Sequence, residues 1–299
     1  MFEYIKEFLK MNDVEYKENI KLSSISPIRI GGNANIIAYP NSAWKFIELL
    51  RFLWTLKCRF KVIGRMSNIL PHDNGYDGVI IRTDRIKGVI LDSTAVQVYS
   101  GITNKALARI LCNNGASGFE ELSGIPGSIG GAICGNAGAF CREMADIVSD
   151  VTFYHPIDDA VYTASSHELS FSYRNSAFKQ SLGYIISARL ALTNSDTESV
   201  AKRMDRFRSE RYKTQPVDKL SLGSTFKRPN ANISAAKMID ECGLKGYRIG
   251  GAEISKKHAG FIINSEDATA KDYISVSEHA SDLVYKKFGV NLEREIELL

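Results

Sequence analysis

The sequence predicts an α/β architecture in three successive portions, the first two of which feed one ligand site. Three observations carry that prediction. Helical apolar spacing alternates with short β-rich runs through residues 1–87. From Val89 the texture changes to short alternating runs, interrupted by one helix. Six glycines crowd into one internal segment, at positions 124, 127, 130, 131, 135 and 138.

Taken in order, the opening MFEYIKEFLKMNDVEYKENI scatters charges among apolar residues at helical spacing, which suits an amphipathic helix and not a signal peptide. IIAYP reads as a strand ending at Pro40. In SAWKFIELLRFLWTLK, residues Trp44, Ile47, Leu50, Leu53 and Trp54 are spaced as a helix face, with Ser42 as N-cap. RFKVIG and GVIIRT are β-rich runs bounded by glycine, as buried strands are. Next come the alternating runs AVQVYS, VTFYH and GYIISARLAL, with a helix from about Thr103 to Asn114 closing on Asn114-Gly115. Residues 197–213 form a charged amphipathic helix, a natural junction. Beyond it lie a glycine turn, the helix AAKMIDECG, a strand around FIIN, a long helix ending near Gly289, and the strand-like NLEREIELL.

Composition excludes several classes. With 44% apolar and 24% charged residues over 299 positions, the chain is neither disordered nor collagenous. No uncharged apolar run approaches the ~18 residues of a spanning helix, so no membrane role is expected. Cys58, Cys112, Cys134, Cys141 and Cys242 form no C-x-x-C pair and read as reduced thiols of a cytoplasmic protein. The net charge is +4, and its densest patch, KRMDRFRSERYK, reads first as the solvated face of a helix. With no nucleic-acid motif beside it, a small anion suits those charges better than nucleic acid. His72, His155, His167, His258 and His279 lack ligand spacing, so no metal is expected. Neither H-E-x-x-H nor G-x-S-x-G occurs, and the sequon Asn232-Ile233-Ser234 has no meaning in a cytoplasmic chain.

SGIPGSIGGAICGNAGAF is the strongest local signal. Six glycines fall within fifteen residues, where the chain average of 23 in 299 gives about one. Such density lets backbone amides approach a ligand, and consecutive amides make an anion-binding concavity. Ile125, Pro126, Ile129, Ala132 and Ile133 lace the segment, which favours a buried, rigid element over a loose loop. The spacing fits neither a Walker loop nor the G-x-G-x-x-G fingerprint. Two further glycine turns, RIGGNA at 29–34 and GRMSN at 64–68, lie beside strands. Three such loops favour an extended ligand with a diphosphate in its middle.

Three polar clusters remain. FSYRNSAFK carries Arg174, a candidate anchor for a carboxylate, beside Tyr173 and Ser176. LGSTFKRP sets Ser224 after Gly223, with Lys227 and Arg228 close behind. In NLEREIELL, the alternation of Leu292, Ile296 and Leu298 puts Glu293, Glu295 and Glu297 on the opposite face, and periodicity alone favours a solvated edge strand there. From residue patterns alone, the chain is an α/β protein binding a diphosphate-containing cofactor, with no reaction named.

Together these segments resemble the UDP-N-acetylenolpyruvylglucosamine reductase family, flavoenzymes that make UDP-N-acetylmuramate for peptidoglycan. The matching stretches run in order from IGGNA through GRMSN, GFEELSGIPGSIGGAICGNAGAF, FSYRNSAFK, GSTFKRP and GLKGYRIGGAEISKKHAGFIIN to LEREI. The short spacing between FSYR and GSTFK is similar to the form lacking an extra substrate-covering loop. The resemblance implies an α+β fold with a two-subdomain FAD-binding module of the vanillyl-alcohol-oxidase (PCMH) type and a C-terminal α+β substrate domain. The expected divisions are 1–87, 88–195 and 196–299, with residues 291–299 returning to the FAD-binding part. It implies non-covalent FAD, since Asn33 follows Gly31-Gly32 where some related flavoproteins carry a histidine linked to the cofactor. NADPH is the implied electron donor, and a cytoplasmic sugar nucleotide the implied substrate, with hydride passing to its enolpyruvyl group. The catalytic positions carried over are Arg174, Ser224 and Glu295: a guanidinium for the substrate carboxylate, a proton donor, and a hydrogen-bonding acid. Cofactor contacts are expected from Gly31, Gly32, Gly64, Arg65, Ser67, Asn68, Gly124, Ile125, Pro126, Gly127, Ser128, Gly130 and Gly131. Tyr173, Lys227 and Arg228 are expected at the substrate. Two departures stand out: Met66 where the family has glycine, and Gly260 where it has asparagine in H-x-N-F. A flavin oxidase on the same scaffold, or a non-catalytic sugar-nucleotide binding protein, is the alternative.

Overall fold

The computed structural model describes residues 1–92, 95–180, 182–230 and 233–299; Asn232 of the sequon lies outside them. The chain divides into two compact units, one of residues 1–18, 36–65 and 78–209, the other of residues 19–35, 66–77 and 210–299.

The first unit holds two separate cores. Helix α1 (Phe2–Met11) buries Ile5 and Leu9 and ends at Asn12, after which Asp13 takes a left-handed φ of 48°. The rest of the opening segment is a strand, Glu15–Lys21, not more helix. Its residues are mostly exposed, so no period-two apolar pattern announces it. That strand begins a four-stranded sheet in the order Glu15–Lys21, Asn33–Tyr39, Tyr76–Arg82, Phe60–Ile63, the last two parallel. Helix α2 (Ala43–Thr55) starts as expected, with Ser42 Oγ accepting from Lys45 N at 3.2 Å. Its buried stripe is Phe46, Leu49, Leu50 and Leu53, whereas Trp44 and Trp54 are exposed, correcting the expected face. The stripe follows i, i+3, i+4, i+7 from Phe46, and Trp44, two residues earlier, falls about half a turn away.

The second core fills a five-stranded antiparallel sheet, in the order Ala160–Ser165, Val148–His155, Tyr184–Ala191, Ala95–Tyr99, Val89–Asp92. Against it pack helix α3 (Asn104–Asn113), capped by Thr103 Oγ1, and the short helix α4 (Ile129–Cys134). One carboxylate is buried here. Glu120 accepts from Gly118 N at 2.7 Å, Ser117 Oγ at 2.8 Å and Arg203 Nε at 2.9 Å. Burial pushes its pKa up, but these bonds more than offset that and hold the carboxyl below its ordinary value. Arg203, from helix α5 (Thr197–Thr214), thereby leaves the basic patch for an internal role. Lys202 and Arg208 pair with Glu198 and Asp205 on the same helix, as a solvated face does.

The second unit centres on an antiparallel sheet in the order Leu220–Ser224, Phe261–Asn264, Ala252–Ile254, Arg248–Ile249. Helices α6 (Ala235–Glu241) and α7 (Ala270–Phe288) contribute Met238, Ile239, Tyr273, Val276 and Val284 to its core. Helix α7 is well bounded. Thr269 and Asp272 form a capping box, Asp73 accepts from Ala270 N at 2.7 Å, and Gly289 ends it at φ 68°. Ile28, Ile30 and Leu70 join this core from early in the chain. The terminal NLEREIELL is not one strand. It bridges Phe226 through Arg294 and pairs parallel to Ile69–Leu70 only at Glu297–Leu298. Ile296 is buried, but Leu298 is 55% exposed, so the expected alternation fails at its last step.

Candidate functional site

In the first unit the glycine segment is clamped onto the turn after Ala95–Tyr99. Gly130 N donates to Ser100 O at 2.9 Å, Ile129 N to Ile102 O at 2.9 Å, and Asn104 Nδ2 to Ile125 O at 3.1 Å. Ile129, Ala132 and Ile133 are buried, as their pattern suggested, while Gly124 and Pro126 face outward. Gly127 has a φ of 122°, which no side chain accepts without strain. A Cβ on Gly64 would lie 2.2 Å from Ser128 Oγ, so the GRMSN and SGIPGSIGG loops touch through a position that must lack a side chain. Arg65 is exposed and lies 3.4 Å from Asp84.

These residues fit an anionic cofactor such as FAD. Among the described residues the N–H groups of Gly127, Ser128 and Gly131 have no acceptor, and the Ser128 hydroxyl is buried without a partner. Ser100 Oγ and Asn104 Oδ1 beside them are buried without partners too. Several donors converging on backbone stripped of Cβ atoms is the donor set a diphosphate takes.

Arg174 sits at the tip of a tight turn closed by Ser172 N to Asn175 O (3.1 Å) and Asn175 N to Ser172 O (3.0 Å). Its own φ is 56°, and its guanidinium lies over the Tyr173 ring, 4.9 Å from the centroid. Arg174 donates to Gly138 O at 3.1 Å, and Glu143 Oε1 faces it at 3.9 Å. Gly138, at the end of the glycine segment, thus serves Arg174: a Cβ there would lie 3.3 Å from its Nη1.

In the second unit Ser224 ends the strand Leu220–Ser224, opposite Phe261. The next residues run beside the C-terminal segment. Glu295 N donates to Thr225 O at 2.8 Å, and Lys227 N donates to Glu293 O at 2.9 Å. Ser224 and Glu295 are therefore brought onto adjacent segments. Asn68 locks the same block, donating from Nδ2 to Glu295 O at 2.9 Å and accepting from Glu297 N at 2.9 Å. Below it, the buried hydroxyls of Thr225 and Tyr273 meet at 2.9 Å, and full burial drives the Tyr273 phenol pKa upward. The three glutamates are not equivalent. Glu293 is exposed and its side chain pairs with Lys227, whereas Glu295 and Glu297 are half-buried. Arg228 is exposed and Ser67 half-buried.

Gly31 and Gly32 have a packing reason of their own. Added Cβ atoms would lie 2.5 Å from Pro71 Cβ and 2.1 Å from Asp73 O. Both departures from the family pattern are visible. Met66 is buried at a φ of 57°, the conformation glycine favours. Gly260 is crowded, since a Cβ there would lie 3.0 Å from His258 Cε1 and 3.1 Å from Ala236 Cβ. His258 is itself partly buried, which lowers its pKa, and its Nδ1 accepts from Gly260 N at 3.1 Å. Sequence reasoning missed the Thr225–Tyr273 pair. Its only signal was a tyrosine at an inward position of a long amphipathic helix.

Among the described residues no group of three His, Cys, Asp or Glu side chains could hold a metal ion, and no helix is long and apolar enough to cross a membrane.

Comparison with known proteins matches both parts of the chain. A family of FAD binding domains covers residues 34–159, and the UDP-N-acetylenolpyruvoylglucosamine reductase C-terminal domain covers residues 215–299. The UDP-N-acetylenolpyruvoylglucosamine reductase of Streptococcus pneumoniae (strain JJA) is 36% identical over 99% of this chain and 97% of its own. That of Caldanaerobacter subterraneus subsp. tengcongensis is 36% identical over 99% and 96%. The structure of UDP-N-acetylenolpyruvylglucosamine reductase from Thermus caldophilus superposes with a TM-score of 0.79 at 31% identity, covering 95% of this chain and 98% of that one. Berberine bridge enzyme from Eschscholzia californica, at 16% identity and a TM-score of 0.50 over 64% of this chain and 44% of its own, shares the fold alone. The expected fold class, an FAD-binding module of PCMH type followed by the reductase C-terminal domain, thus stands. With more than a third of its residues shared across nearly its whole length, the chain belongs to the UDP-N-acetylenolpyruvoylglucosamine reductase family.

Proposed function

We propose that the chain reduces the enolpyruvyl group of UDP-N-acetylglucosamine enolpyruvate to give UDP-N-acetylmuramate for peptidoglycan, with NADPH as donor and non-covalent FAD as cofactor. The observation that supports this reading is the hydrogen bond from Glu295 N to Thr225 O, by which the backbone segment of Glu295 runs alongside the one that carries Ser224. A bound FAD would supply hydride-transfer chemistry between NADPH and the terminal carbon of the enol ether. The amides of Gly127, Ser128 and Gly131, with the Ser128 hydroxyl, would hold its diphosphate, and the lack of a side chain at Gly64 leaves that hydroxyl its place.

Arg174 receives the substrate carboxylate. Negative charge spreads into that carboxylate as the carbon is reduced, so a fixed guanidinium favours the transition state over the ground state. Glu295, as an acid, donates a hydrogen bond to the same group. Ser224 gives its proton to the neighbouring carbon, a downhill transfer from a weak acid to a strong carbon base. Tyr173, Lys227 and Arg228 line the substrate, and Arg65, Ser67, Asn68, Gly124, Ile125, Pro126, Gly130, Gly131, Gly31 and Gly32 complete the cofactor's surroundings. The two cores of the first unit support reading residues 1–87 and 88–195 as two FAD subdomains, with 196–299 as the substrate domain. The reaction is assigned to the cytoplasm, where cysteines outside disulfides, as all five are, stay reduced.

The test is anaerobic. NADPH should bleach the visible flavin band of the purified protein, and the enolpyruvyl substrate should restore it without oxygen. A band that NADPH leaves unbleached but a small alcohol or hydroxy acid bleaches, with oxygen restoring it, would support the oxidase alternative, and bleaching by NADPH that the enolpyruvyl substrate does not reverse would refute the reading.

A further inference from the structure

Asn136 is fully buried at a left-handed φ of 42°, and its side-chain amide is satisfied on every side. One Nδ2 hydrogen goes to Glu143 Oε2 at 2.8 Å and the other to Ser172 O at 2.9 Å, while Oδ1 accepts from Ala145 N at 3.0 Å. Each partner bears on Arg174. Ser172 is the base of the two-hydrogen-bond turn whose tip is Tyr173-Arg174. Glu143 is the carboxylate facing the guanidinium, and it pairs across the short ribbon with Gly138, whose carbonyl Arg174 donates to. The turn is pinned on its far side by buried Ser176, whose Oγ donates to Cys134 O at 2.7 Å.

We propose that Asn136 is the positioning residue for Arg174, holding with one amide both the turn that carries the guanidinium and the carboxylate, Glu143, that faces it. Because Asn136 holds Oε2, the other oxygen of Glu143 stays 3.9 Å from Arg174, beyond hydrogen-bond reach. Without that amide donor, Glu143 closes onto Arg174 and turns it from the substrate carboxylate. An asparagine suits the task chemically. It tolerates the left-handed backbone, and only a side-chain amide supplies two donors and an acceptor at one point. The proposal rests on the reading of Arg174 as the group that meets the substrate carboxylate.

The test uses the flavin-loaded protein and times the two half-reactions separately. Asn136→Asp keeps shape and backbone but removes both donors and sets a carboxylate against Glu143. It should slow reoxidation by the enolpyruvyl substrate by about tenfold or more, the scale of a misplaced contact group, while flavin reduction by NADPH changes less than about threefold. Adding Glu143→Gln restores an amide-to-carboxylate bond with its polarity reversed, and should recover at least about threefold of the loss. In an Arg174→Lys background Asn136→Asp should cost less than about twofold, because residues acting through one group are not additive. Equal slowing of both half-reactions, no recovery with Glu143→Gln, or an undiminished effect in the lysine background would overturn the proposal. If Asn136→Asp does not fold, Asn136→Ser, which also lets go of Glu143, should slow reoxidation by at least about threefold in the parent and by less than about twofold once Glu143→Ala removes the carboxylate; equal slowing in both backgrounds refutes the role. Arg174→Lys alone separates the two readings. If it leaves reoxidation unchanged, the assignment of Arg174 itself fails.

Discussion

Replacing Met66 with glycine, the residue the family resemblance leads one to expect there, tests whether strain or burial rules this loop. At a φ of 57° the Met66 backbone costs about 1–2 kcal/mol for any L-residue, and glycine removes that cost. Against this, the side chain is 2% exposed, and losing a buried methionine costs about 2–5 kcal/mol. Glycine adds about 0.5–1 kcal/mol of backbone entropy lost on folding. Burial wins, so Met66→Gly should destabilise the protein by about 0.5–5 kcal/mol. Met66→Ala isolates the strain, since it loses nearly the same packing but keeps the left-handed penalty. At an ordinary position alanine is more stable than glycine; here glycine should be at least as stable as alanine. Urea denaturation at two flavin concentrations reads both variants, because a fold defect is common to both while altered flavin binding grows with ligand. A glycine variant as stable as the parent would show that the side chain contributes nothing. A glycine variant less stable than alanine would refute the strain.

Three other outcomes follow from the same contacts. Ser224→Ala should slow reoxidation by the enolpyruvyl substrate by ~10²-fold or more while NADPH still reduces the flavin, and equal loss in both steps would make Ser224 structural. Glu295→Gln should raise the barrier to turnover by at least ~1.5–3 kcal/mol, while Glu293→Gln and Glu297→Gln stay within a few-fold of the parent; similar effects at all three return Glu295 to a solvated role. Glu120 has a lowered folded pKa, so its stabilisation is present above the unfolded value of 4.5 and is lost as pH falls through the folded one. Melting temperature should therefore fall more steeply between about pH 5 and 3 in the parent than in Glu120→Gln, and identical slopes would refute the assignment.

What could be read from the sequence was local. The glycine density at 124–138, the Ser42 and Thr103 caps, and the α3 terminus at Asn114-Gly115 each act within a few residues, and each appears where expected. The face of α2 was misjudged because two large tryptophans outweighed a cleaner stripe starting at Phe46. The strand Glu15–Lys21 escaped notice because neither of its faces is apolar.

The site was legible as a set of residue types and not as an assembly, and the reason is sequence distance. Asn68 and Glu295 are joined by a side-chain bond across 227 positions, and no pattern in either segment encodes the other. The same holds for Thr225 with Tyr273 and for Asn136 with Ser172, whose partners lie 48 and 36 positions away. In the last two cases the informative side chain is a buried polar group, and burying one costs free energy unless its partners are in place. Periodicity cannot report such groups, because by apolar pattern Asn136 is one more polar turn residue in a glycine-rich stretch. The glycines are ambiguous in another way. Gly31 and Gly32 look like ligand loops, yet the atoms nearest their missing Cβ positions belong to Pro71 and Asp73 of the protein itself. A glycine marks close approach without saying what approaches, whereas a fully satisfied buried amide names its partners. Asn136, silent in the sequence, therefore says more about how Arg174 is held than the six glycines around it.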